Sequence, residues 1–284
     1  MRNWTLLFLC SLLLTACEDV ITIDLPEEEA RLWVDALIRV NTNEPVTTAV
    51  VKTGLTSSFF NQVEPTDIDR ITIINQDYPS NGLDQNVITL SKTGQGRYTG
   101  SKSTDFFTSG RLILTIEDEG ERYIAETIYA PTVPIESLQE GEGSLFTGDE
   151  TEILISFVDQ ADRTDFYLFD FSFDEYLVSE DTFYPGQRFQ FSYFYEDGLQ
   201  SGQVVDIGIL GIDANFYNYM TQLIVQAGGD QGPFQTPAAT VRGNIINVTD
   251  IDNINNFDNV GQTDNFALGY FSVSQEYKDS ITIQ

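Results

Sequence analysis

The chain has 284 residues, with 14 Lys+Arg against 44 Asp+Glu and no histidine, for a formal net charge of −30. A surface this acidic repels a polyanion, which excludes nucleic acid as a partner. The missing histidine excludes Ser-His-Asp and Cys-His nucleophile chemistry and every His-ligated metal site.

In chain order, Arg2 supplies a short positive start, and Trp4 to Leu14 (WTLLFLCSLLL) is an apolar run of signal-peptide length, too short to span a bilayer. It ends in Leu14-Thr15-Ala16-Cys17, which resembles the lipobox of bacterial lipoproteins. That resemblance implies that residues 1–16 are a lipoprotein signal peptide, cleaved ahead of an acylated Cys17. A plain secretory signal that happens to carry a cysteine is the alternative; residue types, position and spacing favour the lipobox. Cys10 would leave with the signal, so the two cysteines offer no disulfide framework. Three acyl chains bury enough methylene groups to hold a protein on a membrane. Glu18 and Asp19 resemble the short acidic export signal that sends some Gram-negative lipoproteins to the outer face of the cell. The expectation is a lipid-anchored protein of the cell outer membrane, facing the exterior. Residues 17–30 then form the lipidated cysteine and a tether, ending in Glu27-Glu28-Glu29. No other apolar stretch approaches 18 residues.

From 31 to 130 the chain breaks into short alternating or β-branched runs: 31–40, 46–52, 70–76, 86–91, 97–102, 111–117 and 122–129. Gly94-Gln95-Gly96 and Glu119-Gly120-Glu121 are tight-turn signals between them. This pattern predicts an antiparallel, Ig-like β-sandwich at 31–130. Ala130-Pro131-Thr132-Val133-Pro134 is a stiff break, because two prolines cannot join a ladder, and it sets the expected domain boundary.

A second β-rich domain is expected over 135–284, so the fold class is all-β and mainly antiparallel. Here 4 basic side chains face 25 acidic ones, against 9 and 19 in residues 18–130. Aromatics alternate with other residues in 166–174 (Tyr167, Phe169, Phe171, Phe173) and in 188–196 (Phe189, Phe191, Tyr193, Tyr195), which predicts strands with aromatic faces inward. Asp213 is a natural N-cap for a helix over 214–227, whose Phe216, Tyr217, Met220, Leu223, Ile224 and Ala227 recur at helical spacing before Gly228-Gly229. Strand character returns at 266–273 and at 280–283.

Candidate chemistry is sparse. With 44 carboxylates, two at catalytic separation are expected by chance, and no spacing singles out a pair. There is no phosphate-binding glycine loop ahead of a helix, no GxSxG elbow and no CxxC. Neither an enzyme nor a cofactor beyond the lipid on Cys17 is therefore expected. The most ligand-like stretch is Asp250-x-Asp252-Asn253-x-Asn255-Asn256-x-Asp258, whose oxygens suit a calcium ion. It fails the EF-hand pattern, because Ile254 takes the third ligand position and Asn255 replaces the required glycine; a polar loop between strands accounts for it equally. Three adjacent aromatic pairs, Phe59-Phe60, Phe106-Phe107 and Phe183-Tyr184, are candidate partner contacts, since neighbours on a strand cannot both point inward. A loop folded over its own small cluster is the competing reading. Asp279-Ser280-Ile281 resembles a bacterial O-glycosylation site, a match short enough to arise by chance.

Several features act together: Cys17-Glu18-Asp19-Val20-Ile21, Asp24-Leu25-Pro26, Arg31-Leu32-Trp33-Val34, Gly96-Arg97-Tyr98, Tyr123-Ile124-Ala125, Gly243-Asn244-Ile245 and Ala267-Leu268-Gly269-Tyr270-Phe271. Together they resemble the family labelled "domain of unknown function 4249", lipoproteins of Gram-negative gut and marine bacteria. Members are typically encoded beside TonB-dependent outer-membrane receptors. The resemblance thus implies a non-catalytic accessory or binding subunit of such a receptor or another β-barrel complex, with no catalytic residues to carry over. The alternative is a structural or adhesive envelope lipoprotein without a transport partner. Gly269 is expected at a bulge or a close backbone approach, with Tyr270 and Phe271 on opposite faces of a strand.

Overall fold

A computed structural model describes residues 30–57, 63–80, 85–145, 148–196, 198–227, 240–249, 251 and 266–284. The first half runs β1 (Leu32–Val40), β2 (Val46–Leu55), β3 (Glu64–Pro65), β4 (Arg70–Asn75), β5 (Val87–Thr89), β6 (Ser91–Gly94), β7 (Arg97–Ser103), a short helix α1 (Thr104–Thr108), β8 (Arg111–Asp118) and β9 (Glu121–Ala130). Then follow β10 (Ile135–Glu140), β11 (Thr151–Val158), β12 (Phe166–Asp170), β13 (Tyr176–Glu180), β14 (Arg188–Tyr195), β15 (Val204–Ile212), the helix α2 (Ala214–Ala227), β16 (Ile246–Asn247) and β17 (Leu268–Thr282). The fold is all-β and mostly antiparallel, with α2 its one substantial helix among the described residues.

Period-two patterning sets the first core. Leu32, Val34, Ala36, Ile38 and Val40 of β1 are buried, while Trp33, Asp35, Leu37 and Arg39 occupy the other face. The sheet path β5-β4-β8-β9-β17-β1-β2-β7-β6 curls around one apolar cluster, which includes Val34, Ile38, Ile71, Ile73, Leu112, Leu114 and Phe271. In the second half, the three-stranded sheet β10-β11-β14 faces the strands β13-β12-β15 and the end of β17. Between them lies an aromatic cluster built on Phe157, Tyr167, Phe169 and Phe171.

The strand β17 joins the two halves. Its first part pairs in parallel with β1, from Trp33↔Leu268 to Val40↔Gln275, and its last part pairs antiparallel with β15, from Leu210↔Glu276 to Val204↔Thr282. Alternation alone suggests two separate strands there, because residues 274–279 (SQEYKD) look polar. They sit at the junction of the cores, where their polar atoms are satisfied. Gln275 Oε1 accepts from the Thr132 N–H (2.9 Å) and its Nε2 donates to Thr42 Oγ1 (3.1 Å). The break at 131–134 separates the two clusters along the chain. In space, however, Ile245, Ala267, Phe271 and Val273 belong to the first core, so residues 135–284 are not a self-contained unit.

The aromatic run 166–174 is shorter as a strand than its alternation suggests. It leaves extended geometry after Asp170 and enters a turn in which Ser172, Phe173 and Asp174 have φ of 62°, 52° and 62°. Phe171 is still buried, but Phe173 is 56% exposed. The helix 214–227 forms over the residues its periodicity marks, and Asp213 Oδ1 accepts the Phe216 N–H at 2.7 Å as the cap.

Candidate functional site

The outer face of β1 and the helix α2 flank a cleft of about 520 Å³. One wall is the face of β1 that the first core leaves free: Trp33, Asp35, Leu37 and Arg39, extended by Thr48, Val50 and Lys52 of β2. The other wall is a helical stripe, Phe216, Tyr219, Met220 and Leu223, at spacings of three and four. Leu168, Tyr176 and Tyr270 complete the lining. The volume and the mixture of aromatic surface with a few polar tips match sites that hold organic ligands.

A small cluster beneath α2 fixes the helix against the sheet. Tyr270 stacks with Phe216 (centroids 4.6 Å) and with Tyr219 (5.1 Å). Burial, then the nearby Asp213 carboxylate, raises the pKa of its hydroxyl above the usual phenol value. Burial, with Asp35 nearby, pushes Tyr219 up to about 12. Tyr176 is also raised, by burial first and then by Asp170.

Both cations of the cleft are neutralised. Arg39 Nη1 lies 2.7 Å from Asp170 Oδ2 and 2.7 Å from Glu276 Oε1, so one guanidinium ties β1 to β12 and to the second half of β17. Burial opposes the charge on Arg39, but Glu276 and Asp170 outweigh it and raise its pKa. Lys52 Nζ sits 3.2 Å from Asp35 Oδ2 in a more exposed pair. At Tyr176, Met220 and Leu223 the cleft continues into a second compartment of about 410 Å³, which is also lined by Asp174, Glu175, Tyr193, Ile224 and Ala227. Asp174 belongs to the left-handed turn, where each non-glycine residue costs about 1–2 kcal/mol. The Phe171 N–H donating to Glu175 O (2.9 Å) and the Ser172 hydroxyl donating to Asp206 O (2.8 Å) hold that turn.

The aromatic pairs separate by local geometry. Phe106 and Phe107 are fully buried in the first core, contrary to the expectation of an outward ring. They lie on the helical turn α1, where consecutive side chains diverge by much less than on a strand, so both reach the interior. Phe183 and Tyr184 do divide: Phe183 is 85% exposed, while Tyr184 is buried and stacks on Phe189 at 4.1 Å. Phe59 and Phe60 lie outside the described residues, as do Cys17, Glu18, Asp19 and the calcium candidates Asp250, Asp252 and Asp258. Of the described candidates, neither Phe106 and Phe107 nor Phe183 and Tyr184 line the cleft. Its residues were visible only as the polar half of β1 and as a helix stripe that packing alone would require.

A group of buried carboxylates elsewhere is occupied by structural bonds. Asp159 accepts from the Tyr167 hydroxyl and from the Gly186 N–H (2.7 Å), Asp165 pairs with Arg163, and Asp181 accepts the Asp165 N–H (2.8 Å). Among the described residues, no group of His, Cys, Asp and Glu is arranged to hold a metal ion. No described helix is long and apolar enough to cross a membrane. Ser280, in the glycosylation-like tripeptide, sits within β17 and donates to Asp206 Oδ1 at 2.6 Å.

The closing motifs are structural. A Cβ on Gly243 would lie 1.5 Å from Gly269 O, and one on Gly269, whose φ is +105°, would lie 1.8 Å from Val34 O. Gly269 thus makes the expected close approach, and Tyr270 and Phe271 face opposite cores. No curated protein matches the chain. Residues 18–280 match the family described as "Domain of unknown function (DUF4249)", and the chain belongs to that family.

Proposed function

We propose that the protein is an outer-membrane lipoprotein, anchored through Cys17 and facing the cell exterior, that acts as a non-catalytic binding subunit of a TonB-dependent receptor or a related β-barrel complex. The observation that carries the binding role is the cleft between β1 and α2. Its lining is chiefly apolar and aromatic, and its cations are already neutralised by Asp35, Asp170 and Glu276. Such a lining favours holding a ligand over attacking one. The lipobox and the acidic residues after Cys17 supply the anchor and the address. The test is a mild-detergent pull-down of the tagged native protein with mass spectrometry of what accompanies it. One outer-membrane barrel in near-equal amount is the expected result. A protein that comes out alone, under conditions that preserve other lipoprotein–barrel pairs, would remove the receptor role. The net charge of −30 would then favour an adhesive or structural envelope protein.

A further inference from the structure

We propose that the cleft takes a short extended peptide with apolar side chains and a basic residue at one end, its cation seated between Asp174 and Glu175. This assignment rests on the binding reading above and names the ligand class.

Shape comes first. The two compartments, about 520 and 410 Å³, share Tyr176, Met220 and Leu223, and their helical lining runs from Phe216 to Ala227, about 17 Å along α2. A trough of that length suits an extended chain of several residues better than a compact molecule.

Hydrogen bonding comes second. The Trp33 indole N–H and the Tyr176 and Tyr219 hydroxyls hold no hydrogen bond among the described residues, although all three side chains are half-buried in the lining. Polar tips set among apolar surface match the amide groups of a peptide backbone. A simple alkyl amine would leave them unused.

Charge comes third. Arg39 is held by Asp170 and Glu276, and Lys52 by Asp35, so neither is available to an anionic ligand. Asp174 and Glu175 have no ion pair among the described residues; Glu175 accepts only the Tyr193 hydroxyl and backbone contacts of its own turn. A cation arriving at that end completes the trough, and the net charge of −30 draws it there.

The test uses the full-length lipoprotein in mild detergent and isothermal titration, with detergent alone as the blank. The probes are the acetylated hexapeptide amide Leu-Phe-Ser-Leu-Phe-Lys and the same peptide ending in glutamate. The lysine peptide is expected to bind one to one and about tenfold more tightly than the glutamate peptide. The double variant Asp174→Asn, Glu175→Gln should bring the two within about twofold; asparagine tolerates the left-handed backbone at 174, so folding is preserved. Leu223→Arg, at an exposed position on the shared rim, should weaken the lysine peptide further without unfolding the protein. Equal affinity of the two peptides, binding of neither, or an unchanged preference in the double variant would overturn the proposal. If the peptide binds but no barrel copurifies, the ligand class stands and the receptor role falls; a barrel without peptide binding gives the reverse.

Discussion

The side chain of Asn244 does for Phe271 what a neighbouring strand would do. Its Oδ1 accepts the Phe271 N–H at 2.8 Å, and its Nδ2 donates to the Phe271 carbonyl at 2.9 Å and to Glu126 O at 3.2 Å. β17 pairs directly with β9 at Val273↔Tyr129 and Ser274↔Ala130, and the carboxamide extends the seam past the end of that pairing. Replacing Asn244 with leucine leaves those backbone groups unpaired and should cost about 2–3 kcal/mol, read as a lower urea midpoint at unchanged slope. Asn244→Asp should lie between, since a carboxylate accepts from Phe271 N–H but cannot donate to either carbonyl.

Gly269→Ala should be far worse. A methyl group there meets the Val34 carbonyl at 1.8 Å on a backbone of φ +105°, so neither local strain nor packing can absorb it. A loss above about 3 kcal/mol is expected, and failure to accumulate folded protein is the practical readout. Gly243→Ala, facing Gly269 O, should behave alike.

Arg39→Met tests the junction. It removes the cation from between Asp170 and Glu276, whose side chains are 15% and 12% exposed, and leaves Glu276 only the longer contact to Lys278 Nζ at 3.7 Å against the charge of Asp170. A loss of about 2–4 kcal/mol at neutral pH is expected. The loss should shrink in acid, because protonating either carboxylate relieves the repulsion. Unfolding curves at neutral and mildly acidic pH decide it; an equal loss at both would mean that packing of the side chain dominates.

The aromatic pairs predict opposite outcomes for similar substitutions. Phe106→Ala, deep in the first core, should cost about 3–5 kcal/mol. Phe183→Ser, on an exposed ring, should stay within about 0.5 kcal/mol of the parent. Thermal melts of the two variants side by side suffice.

Alkali should unfold the protein earlier than a set of exposed phenols would imply. Burial raises Tyr129, Tyr184 and Tyr219 from 10.0 to about 12, and it moves Tyr167, Tyr193 and Tyr270 upward too. A raised folded-state pKa means that the native state holds its proton more tightly. The stability it contributes is complete below pH about 10 and drains away as pH rises through about 12. Tyrosinate absorbance and circular dichroism should therefore change together above pH about 10. Tyrosinate appearing well before unfolding would contradict the burial.

Much of the architecture was legible because period two and helical spacing report directly on burial. The β1 pattern and the α2 stripe with its Asp213 cap follow from them. Polar burial hid the rest. Gln275 and Glu276 look like a loop in sequence, yet they lie inside β17 because Thr42, Thr132 and Arg39 satisfy them. The turn at Ser172–Asp174 was hidden for the opposite reason: its aromatic alternation continues while its backbone has already turned left-handed. The cleft was illegible since it joins β1, β2, β12, β13, α2 and β17, segments far apart in the chain, and no local motif marks such a meeting.

Because one late strand completes both halves, neither core can close without it. Until residues 268–282 dock, β1 lacks its parallel neighbour and β15 lacks its outer partner. Pairing Trp33 with Leu268 closes a very long loop at an entropic cost that one strand's contacts repay to both halves at once, so the two are expected to gain and lose their order together.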